Sequence, residues 1–272
     1  MRRTPAKVNL YLVVGEVRPE DGRHLIQTVF YPHWGIWDDV SVERGSAGGG
    51  LSLELMGRSI PGGGSVEENL ACRGVLSYCR HFGLEPDYHV RLFKRIPVGG
   101  GLGGGSSDAA AALLEINDLE HLATPQELHG IAASLGADVP FFLNPVMSVG
   151  TGIGDILTPV EKPPALHLLG IYPGFASPVA WAYANWKRPA GMTPPAWPLD
   201  ANTDWTTALW NDLGFAVAEK YPGIQEALQA LREMGAKNAI VSGSGSSVFG
   251  IFETEEEYLA AKTVLAKDWE LF

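Results

Sequence analysis

Fourteen residues, PVGGGLGGGSSDAA from Pro97 to Ala110, carry the densest chemical signal in the chain. After Val98, six glycines fall within seven residues (Gly99, Gly100, Gly101, Gly103, Gly104 and Gly105, interrupted by Leu102), and Ser106 and Ser107 follow at once. Each glycine loses backbone entropy on folding and contributes no side-chain packing, so the run is either a linker or a surface against which something lies on bare backbone. The flanks decide. YHVRLFKRI (88–96) alternates as a strand and delivers the chain into the loop, while SSDAAAALLEIN opens with capping residues and continues with helix formers. Strand, glycine loop and helix together make an anion site. Glycine N–H groups form a concave nest, and the helix aims its unpaired N–H groups and positive dipole end at the same point. Ser106 and Ser107 add hydroxyls able to cap the helix, donate to a phosphate oxygen or, for Ser107 in particular, ligate Mg2+.

Three phosphate-binding patterns can be tested against the loop. A P-loop needs a lysine directly after the glycines, and none is present. The dinucleotide pattern G-x-G-x-x-G is met formally by Gly99, Gly101 and Gly104, but a match is cheap inside a glycine run. The preceding strand also alternates, where a central parallel strand would be apolar throughout, and no second strand ends in an acid about 20 residues on. The protein-kinase loop requires H-R-D and D-F-G downstream, and neither occurs. What remains is an anion nest, read as a site for a nucleotide phosphate, with a plain N-cap after an unusual loop as the alternative.

The elements that must position this loop follow from pattern. VNLYLVV (8–14) and LIQTVFY (25–31) read as strands, and DDVSVER (38–44) and LSLELM (51–56) as a hairpin around GSAGGG. PGGGS (61–65) is a second plain loop, after which Ser65 and Glu68 predict a capping box and a helix to Gly83. Further helices are predicted from Thr124-Pro125 to Gly136, over 207–220, 223–234 and 254–267. Strands are predicted near 146–149 and over 153–160, 165–173 and 238–241, then at VFGIF after a second glycine-serine loop, SGSGSS (242–247). Residues 174–206 read as an aromatic loop. A sheet-rich first half and helix-rich second half suggest a boundary near 150.

Composition narrows the function classes. A chain of 272 residues, 46% hydrophobic and 19% charged, builds one large domain or two modest ones. Its net charge of −11 argues against a nucleic-acid footprint, which needs a basic stripe. No apolar run approaches the roughly 18 residues that span a bilayer, and no signal-peptide h-region is read at the amino terminus, so no membrane partner and a cytoplasmic location are expected. Cys72 and Cys79 lie seven residues apart on a helix, too far for a mutual disulfide.

The loop closely resembles the P-x-G-x-G-L-G-S-S-A-A phosphate loop of the GHMP kinases. PAKVNLYL at the amino terminus, EDGRHLIQTVF (20–30), LGADVPFFL (135–143) and SGSGSSVFGIF agree with the same family, so the resemblance spans nearly the whole chain in the right order. It implies an α+β, two-domain fold with the active site in the inter-domain cleft. An ATP-binding domain would cover 1–150, and a second domain, contributing to substrate binding, 151–272. It implies ATP and Mg2+ as cofactors and, from the triple-glycine form, a cytidine diphosphate-linked methylerythritol as the small-molecule substrate, phosphorylated on the way to isoprenoid precursors.

Residue roles come from that resemblance too. Asp138 becomes the catalytic carboxylate, although from its segment alone it also reads as a turn residue after Gly136. Lys7 becomes its partner, although a lone strand lysine is usually an edge charge. Pro97 to Ser107, with Asn69 and Lys94 at the adenosine end, would bind ATP. Asn9, which shares a strand face with Lys7, would meet the substrate. His24 would bind the cytosine, Trp181 would stack on its face, and Ser177 would lie near the diphosphate. Arg23 stands where the family pattern has tyrosine, and a guanidinium plane can still stack on a pyrimidine. The chain stops soon after DWELF, so a terminal strand is expected to be short or absent. A kinase for another small alcohol and a catalytically silent nucleotide-binding homologue are the alternatives.

Overall fold

In the computed structural model these patterns become β1 (Arg2–Val17), β2 (His24–Arg44), β3 (Ser52–Gly57), α1 (Leu70–Phe82), β4 (Tyr88–Lys94), α2 (Gly104–Glu120), α3 (Pro125–Leu135) and α4 (Val139–Leu143). There follow β5 (Ser148–Thr151), β6 (Ile156–Pro159), β7 (His167–Tyr172), α5 (Val179–Asn185), β8 (Trp210–Asn211) and α6 (Asp212–Lys220). The chain ends in α7 (Pro222–Glu233), β9 (Asn238–Val241), β10 (Val248–Phe252), α8 (Glu255–Leu265) and β11 (Glu270–Leu271). The structure describes residues 1–60, 64–197, 199–200 and 202–272, so most of the PGGGS tract at 61–65 lies outside the described residues.

Two compact units form. The first comprises Met1–Lys7, Pro32–Val98 and Gly103–Pro145, and the second Val8–Tyr31, Gly99–Leu102 and Val146–Phe272. The chain changes unit at Pro145–Val146 and at several earlier points, so residues 8–31 and 99–102 group with the carboxy-terminal part.

In the first unit β4 lies between two partners. It runs antiparallel to β2 from Asp39↔Phe93 to Arg44↔Tyr88 and parallel to β3 from Ser52↔His89 to Gly57↔Lys94. The predicted 38–44/51–56 hairpin therefore does not form, because β4 occupies the hydrogen-bonding edge the two strands would have shared. Residues 88, 90, 92 and 94 of β4 are the buried face, as its alternation predicts. Helix α1 starts later than Ser65 suggests. Asn69 is its N-cap, accepting from the N–H groups of Ala71 and Cys72, an interaction worth about 1 kcal/mol. The α1 and α2 backbones approach closely, since a Cβ on Gly74 would sit 3.0 Å from the Ala109 carbonyl oxygen. Cys72 and Cys79 are buried on α1, and burial pushes their thiols up to about 12 and about 11, which leaves them inert.

The second unit contains an antiparallel sheet in the order β11-β7-β10-β9, packed on a core that includes Leu169, Ile171, Val217, Ile224, Leu231, Val248 and Phe252. β8 adds to β1 in parallel at Tyr11↔Trp210 and Leu12↔Asn211, and β5 pairs with β2 from Thr28↔Gly150 to Phe30↔Ser148. The helix predicted from 207 begins only at Asp212, because Trp210 and Asn211 are drawn into the sheet. A terminal strand exists, and it is short. β11 pairs with β7, and Phe272 exchanges backbone hydrogen bonds with Gly170 at 3.0 and 2.8 Å.

Candidate active site

In the first unit, β1 carries Lys7 into the interior, where only 5% of the residue is exposed. Its Nζ lies 3.4 Å from Oδ2 of Asp138. Asp138 is the residue before α4, yet its carboxylate caps nothing there, and its side chain is 34% exposed. The arrangement is a buried ammonium beside a carboxylate that faces outward. Gly103 closes in on Lys7. Its φ is +71°, and a Cβ there would meet Cγ of Lys7 at 3.0 Å and the Phe142 ring at 2.9 Å. Helix α2 begins at the next residue with no side-chain cap, so the N–H groups of its first turn point at an open end.

The serines of that turn divide their roles differently from the prediction. Ser107 is fully buried, donates from Oγ to the Pro5 carbonyl oxygen at 2.7 Å and lies 2.6 Å from Oγ1 of Thr4. It ties α2 to β1 and does not suit a metal ligand. Ser106 is half-buried and fits that task better. Among the described residues no group of three or more His, Cys, Asp or Glu gathers as a protein-only metal site would. Mg2+ commonly needs only one or two protein oxygens when phosphates and water supply the rest.

Lys94 is also committed elsewhere. Its Nζ is buried between Asp38 (2.5 Å) and Asp108 (2.7 Å), while Oδ1 of Asp38 accepts from the N–H groups of Arg95 (2.5 Å) and Ile96 (2.8 Å). Burial works against the Lys94 charge, but Asp108 and Asp38 outweigh it and hold the ammonium protonated, its pKa raised. Asp108 is pushed up to about 8, chiefly by burial, with Lys94 opposing. The triad pins the strand leaving β4 to the second turn of α2, and so fixes both flanks of the glycine loop. Asn69 likewise has its carbonyl oxygen engaged as the α1 cap. Lys94 therefore does not present its ammonium as an adenosine contact would. Pro97 and Val98 close the first unit's part of the loop.

In the second unit, Gly99, Gly100, Gly101 and Leu102 rest on two serine segments. The carbonyl oxygens of Gly99, Gly100 and Gly101 accept from Ser177 N–H (3.0 Å), Ser247 N–H (3.1 Å) and Ser242 Oγ (3.2 Å). Gly99, Gly101 and Gly103 are all left-handed, at φ +71°, +76° and +71°. Left-handed residues alternating with right-handed or extended ones are the backbone pattern from which anion nests are built. At Gly101 a Cβ would lie 2.2 Å from the Ser242 carbonyl oxygen. Gly101→Ala is therefore expected to cost roughly 2 kcal/mol, or about 5 °C in Tm, and to weaken ATP binding at least tenfold. Calorimetry and a nucleotide titration check it, and an unchanged Tm would mean the segment relaxes freely.

The same unit carries the residues expected at the base end. Asn9 is buried and donates from Nδ2 to Oγ1 of Thr28 at 2.8 Å. Nδ1 of His24 lies 3.0 Å from the Gly15 carbonyl oxygen, which can only accept, so the proton sits on Nδ1 and a neutral ring keeps Nε2 as an acceptor. Arg23 is 60% exposed and pairs with Asp21 at 3.5 Å. Trp181, expected on the face of the base, lies on α5. It packs edge-on to Tyr221, with Nζ of Lys220 3.7 Å above its ring centroid. Tyr183 and Trp186 are the rings beside His24, at 5.9 Å stacked and 6.0 Å edge-on. Ser177 is buried, and its hydroxyl has no partner among the described residues. An open cavity of about 320 Å³, lined by Val13, Leu25, Ile26, Gln27 and Thr151 among others, adjoins His24 in sequence.

Comparison with known proteins decides what this geometry belongs to. Residues 69–144 match the GHMP kinases N terminal domain, and residues 204–271 the GHMP kinases C terminal domain. The 4-diphosphocytidyl-2-C-methyl-D-erythritol kinase of Chlorobium phaeobacteroides strain BS1 is 38% identical over 258 residues, covering 91% of this chain and 87% of that protein. The chain belongs to the GHMP kinases. As a member it is an ATP-dependent phosphotransferase acting on a small molecule. The like-named kinase of Geobacter metallireducens is 35% identical over 98% of this chain and 95% of its own length. A crystal structure of 4-(cytidine 5'-diphospho)-2C-methyl-D-erythritol kinase superposes with a TM-score of 0.77 at 32% identity, over 100% of this chain and 97% of that one. The homoserine kinase of Cytophaga hutchinsonii shares the fold, with a TM-score of 0.68 at 20% identity over 99% of this chain and 91% of that one. The α+β architecture of two units is the GHMP kinase fold.

Several residues of this kinase were not singled out by sequence. Asp38 and Asp108 read as a strand end and a helix cap, and nothing local marks them as partners of Lys94. Tyr183 and Trp186 sit beside Trp181 in a segment rich in aromatics. Their three-residue spacing, one helical turn, is the signal that puts them on a common face.

Proposed function

We propose that this protein transfers the γ-phosphoryl group of ATP to the 2-hydroxyl of 4-diphosphocytidyl-2-C-methyl-D-erythritol, giving the 2-phosphate and ADP. The observation that carries this reading is the match, over nearly the full chain, to curated relatives of that name at 33–38% identity. The Lys7–Asp138 pair supports it chemically. Phosphoryl transfer depends mainly on positioning and electrostatic stabilisation. Asp138, exposed and uncommitted to capping, accepts or orients the proton of the attacking hydroxyl. Lys7 holds the carboxylate and stabilises charge developing on the transferred group. The left-handed glycines and the open N-terminus of α2 bind the phosphates of ATP. Mg2+, which neutralises phosphate charge when bound with ATP, would meet the hydroxyl of Ser106. His24, with Tyr183 and Trp186 holding its ring, receives the cytosine through Nε2, and Arg23 lies at the exposed edge. We place the reaction in the cytoplasm, since no helix among the described residues is long and apolar enough to cross a membrane and both cysteines are reduced.

Phosphorus NMR of the protein with Mg-ATP and the cytidine diphosphate-linked substrate tests this. A new phosphomonoester signal with ADP is expected, and the Asp138→Ala variant should lose it. ATP binding without product would overturn the substrate assignment.

A further inference from the structure

Asn211 and Asp212, where β8 gives way to α6, make more contacts than a helix start requires. A cap needs only an acceptor, and Oδ1 of Asn211 supplies it to Leu213 N–H at 3.0 Å. The Asn211 amide nitrogen also donates to the carbonyl oxygens of Val241 and Gly243, both at 2.7 Å. Those two bonds brace the entry to the 242–247 loop, whose Ser242 and Ser247 hold the carbonyls of Gly101 and Gly100. Asn211 is 4% exposed and therefore has no water in reserve to replace either bond.

Asp212 faces the other way. It is fully buried and accepts from the Val14 N–H (2.9 Å), Nε1 of Trp210 (2.8 Å), and Nε and Nη2 of Arg188 (3.0 and 2.6 Å). A buried carboxylate persists only with such compensation, and Arg188 supplies most of it through a two-pronged contact. Arg188 belongs to the irregular stretch that follows α5. Its other anchors are the Tyr11 hydroxyl, which donates to the Pro195 carbonyl oxygen at 3.1 Å, and the Tyr11–Trp197 ring contact at 5.5 Å. The start of that stretch, Trp186, and the end of α5, Tyr183, pack on Leu12, Val14 and Leu213 and flank His24.

We propose that the Asn211–Asp212 pair is a positioning element for both substrates: Asn211 sets the glycine segment that receives ATP, and Asp212, through Arg188, sets the aromatic arm that orients His24 toward the base. This rests on the reading above in assigning a pyrimidine to His24. It predicts separable effects from two adjacent residues, which a purely structural helix start would not give.

Asn211→Ser keeps a capping hydroxyl but deletes both amide donors. Arg188→Lys keeps the charge but loses the two-pronged contact. For Asn211→Ser, the Kd of ATP by titration calorimetry should rise at least tenfold, with the KM for the cytidine diphosphate-linked substrate within twofold. For Arg188→Lys, that KM should rise at least tenfold with the ATP Kd within twofold, and the His24 imidazole resonances in ¹H–¹⁵N NMR should move. Asn211→Ser should leave those resonances in place. Equal changes in both ligands, wild-type ATP affinity in Asn211→Ser, or unmoved His24 signals in Arg188→Lys would overturn the proposal. Failure of the substrate assignment is a separate result, seen as absence of product from the wild-type protein, and the ATP and His24 measurements still judge the pair.

Discussion

Asp138→Asn is expected to lower kcat by roughly 10²–10⁴ while the Kd for ATP stays within about twofold. The substitution keeps shape and hydrogen-bonding capacity and removes only the charge, so it isolates the carboxylate's part in the chemical step. In the proposed reaction Asp138 acts on the attacking hydroxyl, whose proton moves only as the transition state forms, so the loss should fall on kcat. Lys7→Met should give a loss of similar size, since its Nζ is 3.4 Å from the carboxylate and is otherwise positioned to meet developing phosphoryl charge. The double variant should be little worse than either alone, because groups acting as one unit lose their effect together. Single-turnover rates measured at saturating ATP settle the matter. Multiplicative losses would show that the two side chains act separately, and a fall of less than tenfold in Asp138→Asn would reduce Asp138 to an orienting group.

What could be seen in the sequence was what is local. The glycine loop, the helix behind it and the segments bearing Lys7 and Asp138 declare themselves through residue type over ten or so positions, and the structure brings Lys7 and Asp138 together. What escaped depends on distant partners. Lys94 stands at the adenosine end in the family pattern until Asp38, 56 positions earlier, is placed against it. Ser107 reads as a cap or metal ligand until the Pro5 carbonyl, 102 positions away, claims its proton. The parallel β3–β4 pairing escaped for a related reason. An alternating strand has the same pattern whichever neighbour it takes, so turn proximity favoured a hairpin that topology does not use. The family pattern points to Trp181 for the base, while the placing of Tyr183 beside His24 follows from how α5 packs on Leu12 and Val14.

The buried triad makes a prediction of comparable size in stability. Asp38 faces three donors, Lys94 and the N–H groups of Arg95 and Ile96, whereas Asp108 has Lys94 as its donor, lies beside the Asp38 carboxylate, and has its Oδ1 buried with no partner among the described residues. The extra proton of the cluster therefore resides on Asp108, which agrees with a carboxyl raised to about 8. An acid whose pKa is higher in the folded than in the unfolded protein binds more protons when folded. Its contribution is fully present at low pH, falls as pH rises above the unfolded carboxyl value near 4, and levels off once pH passes about 8. Between those limits the wild-type protein should lose about 1.4 kcal/mol of stability per pH unit from this group. Asp108→Asn mimics the protonated form and cannot ionise, so it should match the wild type near pH 4 and become progressively the more stable protein as pH rises toward 8. Denaturant unfolding of both proteins at half-unit steps from pH 5 to 9 gives the difference curve directly. A flat difference would place the proton elsewhere in the triad. Lys94→Met supplies the contrast, because removing the one cation leaves Asp38 buried without its partner and should cost about 3–5 kcal/mol. Since Lys94 Nζ would lie only 2.8 Å from a Cβ on Gly104, that loss should also loosen the first turn of α2 and weaken ATP binding, which Asp108→Asn should not do.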